Sequence, residues 1–386
     1  MSEIARLKGL FFWYFAYVGI LSPYLSLYFR DAGFSVAQIG LLMTVPQVMR
    51  IVSPAFWGWL ADRRGDVRLL LRASALLALL AVAAIPVATG AGLTIAAVAL
   101  GVLSFSAGAQ VPIGEALTLK ATGGDAGGYG RVRLWGSIGF ILGVVGVGAV
   151  LDRFGRGGLP GWMALALVGL SVSVWFIRSP VAQGSRAASA RMSHRFREPA
   201  VIGFFLANAL MIFAHAALYV LYSLLLVRHG YGETAIGLLW ALGVIAEIIL
   251  FRVQRPLFDW QPAVNLLVIS LLVAALRFTV IGLADGALVI LVVCQIAHAI
   301  TFGLHHSAVM RVLHEWFDSA EQGRAQAAYL AISYGVGGSL GGLLLTRIWE
   351  RVSPGAAFIV AGTVAALGAV IMVGVGRAVQ QPGKTA

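Results

Sequence analysis

Apolar positions in this chain come in long unbroken runs rather than in narrow amphipathic stripes. From Gly9 almost to the C-terminus, stretches of about 20 apolar residues recur, each long enough to cross a ~30 Å hydrocarbon core. Turn residues and charges separate twelve such runs, centred near residues 20, 48, 79, 105, 142, 168, 213, 244, 273, 298, 336 and 365. The pattern predicts an all-α polytopic membrane protein with twelve transmembrane helices. Basic residues precede the first run in MSEIARLKG, as they would in a signal peptide. That run continues through Pro23 to Phe29 without a small-residue cleavage site, so it is read as an uncleaved span.

The longest connection, rich in Ser, Ala and Arg, divides the spans six and six. The expected organisation is an N-terminal six-helix bundle over 1–178, a linker over 179–197 and a C-terminal six-helix bundle over 198–386. The halves repeat at residue level: DAGFSVAQIGLL from Asp31 to Leu42 aligns with RHGYGETAIGLL from Arg228 to Leu239 at an offset of 197. The same offset maps Arg50 onto Glu247 and Asp62 onto Asp259. Six spans per copy is an even number, so both copies cross in the same direction, a parallel repeat of the kind that commonly holds substrate between its halves.

Composition agrees with the pattern. The chain is 60% hydrophobic and only 11% charged, against about 25% charged in a typical soluble domain. Its net charge of +12 is scattered among apolar runs rather than gathered on a soluble face, which points to membrane topology and not to nucleic acid. With both termini in the cytoplasm, 20 of the 28 Lys and Arg residues fall inside, six outside, and two, Arg50 and Arg277, within spans. A single cysteine, Cys294, excludes disulfide frameworks and cysteine metal sites. The absence of a Walker sequence leaves ATP-driven pumping without support. No cofactor is expected. His215, Glu247 and His298 fall on separate spans without a local ligand motif, so neither a metal site nor an enzyme is expected.

A charge at the centre of a span costs at least about 2.5 kcal/mol, so the few ionisable residues there are the candidates for function. Arg50 and Glu247 each lie about 14 residues, roughly 21 Å, from the outer ends of their spans. Arg277 and His298 reach comparable depth, with His215 somewhat nearer the outside. Glu247 and Arg277 either form a buried pair that fixes register or take part in transport. A carboxylate between arginines offers a way to couple proton and substrate binding. At least one of His305 and His306 must face away from His298. Glu115 ends span 4, and Arg131 and Arg133 open span 5 beyond GGDAGGYG, so a contact across that hairpin is easy, either as a substrate contact or gate, or as a local clamp. The aromatic set of span 1, from Phe11 through Trp13, Tyr14, Tyr17 and Tyr24 to Tyr28, is read mainly as lipid belt and packing, a central tyrosine lining a cavity being the alternative. GSIGFILGVVGVG in span 5 and GVGGSLGG in span 11 bring small residues to one face, where helices approach closely.

The segment GWLADRRGDVR, from Gly58 to Arg68 in the loop between spans 2 and 3, closely resembles the Gly-x-x-x-Asp-Arg-x-Gly signature of the major facilitator superfamily. AHAALY around His215, GVIAEI around Glu247, IAHAITFGLHHSAVM from Ile296 to Met310 and YGRVRLWGSIGF from Tyr129 to Phe140 look like its 3-phenylpropionate permease branch. The resemblance covers nearly the whole chain. It implies two six-helix bundles, alternating access and proton-coupled uptake, with spans 1, 4, 7 and 10 lining the cavity. By similarity to lactose permease, it suggests Glu115 with Arg131 or Arg133 on the substrate side, and Glu247, Arg277 and His298 or His306 for proton coupling. Gly58, Asp62, Arg63 and Gly65 would form a cytoplasmic gate. The second-half copy, RVQRPLFDW, keeps Asp259 but has lost the glycines. Ser307 to Met310 supplies no acidic residue after the span 10 histidine, which leaves Glu247 to carry coupling alone.

The reading is a transporter in a bacterial cytoplasmic membrane that imports a small organic solute with protons, monomeric as the superfamily generally is. An aromatic monocarboxylate leads as substrate, bound with the help of Arg50, His215 and Arg277. Efflux of amphipathic compounds by proton antiport, and sugar or nucleoside uptake, are the alternatives.

Overall fold

The computed structural model describes residues 2–64, 66–178 and 194–380. Among them the regular structure is helical throughout, and twelve helices are long and apolar enough to cross a bilayer. These are α1 (Glu3–Asp31), α2 (Val36–Arg64), α3 (Val67–Gly90), α4 (Leu93–Ala121), α5 (Gly127–Phe154) and α6 (Arg156–Trp175). The second set is α7 (Pro199–Arg228), α8 (Glu233–Val253), α9 (Ala263–Leu283), α10 (Leu288–Trp316), α11 (Ser319–Arg351) and α12 (Pro354–Val379). Each centre expected from the apolar runs lies inside its helix. The outer faces stay apolar where they are exposed, as at Leu80, Val87, Leu276, Val289 and Val370, which suits lipid rather than water.

Two boundaries differ from the sequence expectation. The segment GWLADRRGDVR is mostly helix, because α2 runs on to Arg64 and α3 begins at Val67. The apolar-aromatic run through Trp57 and Trp59 meets no breaker before Gly65. Gly58, Asp62 and Arg63 therefore sit on the last two turns of α2, while Gly65 lies outside the described residues. Asp66 caps α3 by accepting from the backbone of Arg68 (3.1 Å) and Leu69 (3.4 Å), and its ion pair with Arg68 holds its carboxyl below the usual carboxylate range. Residues 179–193 of the expected linker also lie outside the described residues. His194–Arg197 form a single short turn before α7.

The chain packs as two compact units, Met1–Ala187 with Leu226–Ala241, and Ala188–Leu225 with Leu242–Ala386. In the first unit α1 packs against α5 and α6, and α3 against α4 and α6. In the second, α7 packs against α11 and α12, and α9 against α10 and α12. These four pairings recur after a shift of six helices, which is the internal repeat expressed as packing. The first turn of α8 joins the first unit through polar groups. Asp152 accepts the N–H groups of Glu233 (2.7 Å) and Thr234 (2.8 Å), and Arg156 binds both Asp31 (3.0 Å) and Glu233. The Tyr24 hydroxyl is 2.7 Å from the Val144 carbonyl and 3.0 Å from that of Glu233; its single proton goes to one or is shared.

The glycine runs are where backbones meet. A Cβ on Gly139 in α5 would lie 2.0 Å from the Phe12 carbonyl oxygen of α1, and one on Gly143 would lie 2.6 Å from that of Ala16. In the second unit, a Cβ on Gly337 or Gly341 of α11 would lie 2.3 or 2.4 Å from the carbonyl oxygen of Ala209 or Phe213 of α7. The repeat offset of 197 maps Phe12 onto Ala209 and Ala16 onto Phe213, and the glycines correspond one residue further on, at 198, so the two crossings use equivalent carbonyls. Gly139→Ala is expected to force α1 and α5 apart at a cost of about 1–3 kcal/mol. Thermal unfolding in detergent checks this against Gly146→Ala, where an added Cβ meets nothing within 4 Å. Equal stability of the two variants would contradict the crossing.

Three π-helical segments occur among the described residues, at Ala217–Leu221 in α7, Ala299–Leu304 in α10 and Leu330–Gly338 in α11. Such segments frequently accompany functional sites. Two of them adjoin the ionisable residues of the second unit.

Candidate functional site

The second unit holds a continuous polar line in an apolar interior. Arg277, buried in α9, donates from Nε to the Cys294 carbonyl (2.7 Å), from Nη2 to Gln295 Oε1 (3.1 Å), and from Nη1 to Thr301 Oγ1 (3.2 Å) and His298 Nδ1 (3.1 Å). All four acceptors lie on α10. Gln295, His298 and Thr301 recur every three residues, which puts them on one helical face. Arginine only donates, so His298 Nδ1 accepts and the ring is neutral, with its proton on Nε2. That Nε2 lies 3.0 Å from Glu247 Oε1 of α8. His298 thus stands between Arg277 and Glu247, and no direct ion pair joins the two outer groups. Phe302 stacks on the His298 ring at 5.2 Å between centroids.

His215 of α7 is fully buried next to this line, 5.9 Å from the His298 ring and edge-on to Phe278. Its Nδ1 bonds the Met211 carbonyl (3.0 Å), which accepts only, so Nε2 is left as a buried lone pair without a partner. His305 faces elsewhere. The Asn208 amide donates to the Phe204 carbonyl (2.7 Å), which turns Oδ1 towards His305 Nε2 (2.8 Å), and Ser270 Oγ lies 2.7 Å from Nδ1. His305 is therefore a satisfied packing residue joining α7, α9 and α10. His306 is exposed and within electrostatic reach of Glu247.

In the first unit, Arg133 of α5 lies over the rings of Phe11 (5.0 Å) and Phe15 (4.7 Å) of α1, with Glu115 of α4 at 3.5 Å. Tyr14 of α1 lies within electrostatic reach of Arg50, Arg133 and Glu115. Arg50 itself is exposed on α2. Arg131 turns away to Asp125 at 3.7 Å, three-quarters exposed, because residues two apart on a helix face different sides. Asp62 makes no ion pair among the described residues, and Arg63 stacks on Trp59 at 5.4 Å. No group of metal-ligating side chains occurs among the described residues.

Sequence reasoning placed Glu247, Arg277, His298 and His215 on four successive spans, where the structure has them, and missed their polar neighbours. Gln295 and Thr301 were legible as a spacing of three around His298. Phe11 falls in the aromatic set read as belt and packing and Phe15 was not singled out; only the position of Arg133 shows that both carry a guanidinium.

Twelve spans in a six-helix repeat, with buried ionisable groups along one polar line, define a polytopic membrane transporter. The chain belongs to the MFS_1 like family, whose model matches residues 4–360, and its fold is that of the major facilitator superfamily. It is 32% identical over 339 residues to the "Probable 3-phenylpropionic acid transporter" of Escherichia coli (strain K12), covering 85% of this chain and 86% of that protein. It is 28% identical over 351 residues to the maltose permease of Geobacillus stearothermophilus, covering 87% and 86% of the two chains. A crystal structure of a variant of the nucleoside transporter NupG superposes with a TM-score of 0.86 at 17% identity, covering 97% of this chain and 100% of that one.

Proposed function

We propose that this transporter is a proton symporter that imports a small organic solute, with an aromatic monocarboxylate as its leading substrate class. The observation that carries the reading is the line from Arg277 through His298 to Glu247. With His298 neutral, Arg277 and an ionised Glu247 sum to zero charge; adding one proton makes the group +1. A site that gains a positive charge with each proton favours an anion when loaded and releases it when unloaded. The guanidinium of Arg277 is spent on α10, so it serves as a fixed countercharge rather than a direct substrate ligand.

The substrate carboxylate is assigned to Arg133, with Arg50 nearby and Glu115 as the group it displaces. Phe15 and Tyr14, half-buried on α1 beside Arg133, offer an aromatic ring its complement, while Phe11 is fully buried. Similarity to the E. coli 3-phenylpropionic acid transporter supports the same class. Gly58, Asp62 and Arg63 are assigned to a gate at the cytoplasmic end of α2. The chain is assigned to a bacterial inner membrane, with both termini inside, as a monomer working by alternating access.

The test is the external pH of lightly buffered cells expressing the protein, on adding 3-phenylpropionate and, separately, maltose and a nucleoside. Alkalinisation is expected with the aromatic acid alone. Arg133→Gln is expected to raise its half-saturating concentration at least tenfold, about 1.4 kcal/mol of lost binding. Alkalinisation with maltose or the nucleoside instead would move the substrate class. Silence with all three would favour proton-driven efflux.

A further inference from the structure

The second-half copy of the span 2–3 signature has lost its glycines, and arginines and aromatics stand in its place. RVQRPLFDW forms the end of α8 and a six-residue helix, Arg255–Trp260. Between this segment and α10 lies an open cavity of about 570 Å³. Three guanidinium groups line it, those of Arg252, Arg255 and Arg311, against one lining carboxylate, Asp259.

Two of the three guanidinium groups are not spent internally. Arg252 and Arg255 make no ion pair among the described residues, and neither does Asp259. Arg311 gives Nε to Glu315 at 2.9 Å and packs over the Phe258 ring at 5.8 Å, which leaves its two terminal nitrogens for another acceptor. Counting both carboxylates, the cavity keeps a net charge of +1. Gln254, also in the lining, has a buried Oε1 with no hydrogen-bond partner. Phe251, in the lining, and Val253, two residues on, are apolar side chains 45 and 58% exposed.

Guanidinium groups pair their N–H donors with phosphate oxygens, and basic cavities between membrane helices are suited to charged headgroups. We propose that this cavity binds a phosphate group, supplied by the headgroup of an anionic phospholipid. The phosphodiester lies among Arg252, Arg255 and Arg311, and the acyl chains lie along Phe251 and Val253. A headgroup hydroxyl, as in phosphatidylglycerol, satisfies Gln254 Oε1. The lipid is a structural ligand here, separate from the transported solute.

Thermal unfolding of the purified full-length protein in detergent tests this. Phosphatidylglycerol is expected to raise Tm by several degrees and phosphatidylethanolamine not to. More than half of that rise is expected to disappear in the R252Q/R255Q double variant, with native mass spectrometry showing the lipid adduct reduced in parallel. In the unaltered protein the rise is expected to shrink in 0.5 M salt, since exposed charge pairs are screened. This arm does not depend on the variant folding. A rise of equal size with millimolar inorganic phosphate, lost in the same variant, would keep the phosphate chemistry and overturn the lipid as its source. No rise with either anion, equal rises with both lipids, a rise indifferent to salt, or one unchanged in the variant would overturn the proposal.

Discussion

Glu247→Gln is expected to abolish proton-driven accumulation while leaving exchange of substrate across the membrane largely intact. Glutamine matches glutamate in shape, and its amide oxygen still accepts from His298 Nε2–H, so the polar line and the packing around it survive. The variant fixes the group at +1, the charge of the proton-loaded state. Uptake of a monoanion with one proton is electroneutral, so the pH gradient alone drives it. One pH unit is worth about 1.4 kcal/mol, or tenfold accumulation. In proteoliposomes with a pH step of one unit, the inside-to-outside ratio is expected to fall from near ten to near one. Counterflow from preloaded vesicles should stay within about threefold of the unaltered protein. Undiminished accumulation would remove Glu247 as the coupling group.

Arg277→Leu is expected to have the largest effect on stability, about 3 kcal/mol or more. The guanidinium satisfies four acceptors on α10, and its loss leaves Gln295 Oε1, the Cys294 carbonyl and His298 Nδ1 buried without their donor. Each orphaned buried group costs about 1–3 kcal/mol. It also leaves Glu247 without the countercharge beyond His298. Arg277→Lys keeps the charge but not the fork that reaches several acceptors at once, so an intermediate loss is expected. Adding Glu247→Leu to Arg277→Leu should recover part of the stability, because removing both charges is cheaper than stranding one. Unfolding in detergent reads all three. A single variant as stable as the unaltered protein would mean that the hydrogen bonds of Arg277 contribute nothing.

Position along a helix was legible in the sequence because it needs only counting. Fourteen residues from a helix start place Glu247 where the structure has it, and all twelve span centres fall in helices. Direction around the helix was less legible. Arg131 and Arg133 were equal candidates for Glu115, and the structure gives it Arg133. Contacts between helices distant in sequence carried the least signal. The sequence left a direct Glu247–Arg277 pair open; the structure has His298 between the two groups, which depends on the facing of three helices at once. The glycine runs did announce close approach, but not that their partners would be carbonyls at matching positions of α1 and α7.

Those crossings set a limit on what substitution can reveal. Alanine scanning reads an interface by taking side chains away and recording what is lost. Where Gly139 meets Phe12 and Gly337 meets Ala209, main chain lies against main chain, and there is no glycine side chain to remove. A scan of α5 and α11 would therefore pass over two of their tightest contacts in silence. Only additions report on them, one carbon at a time.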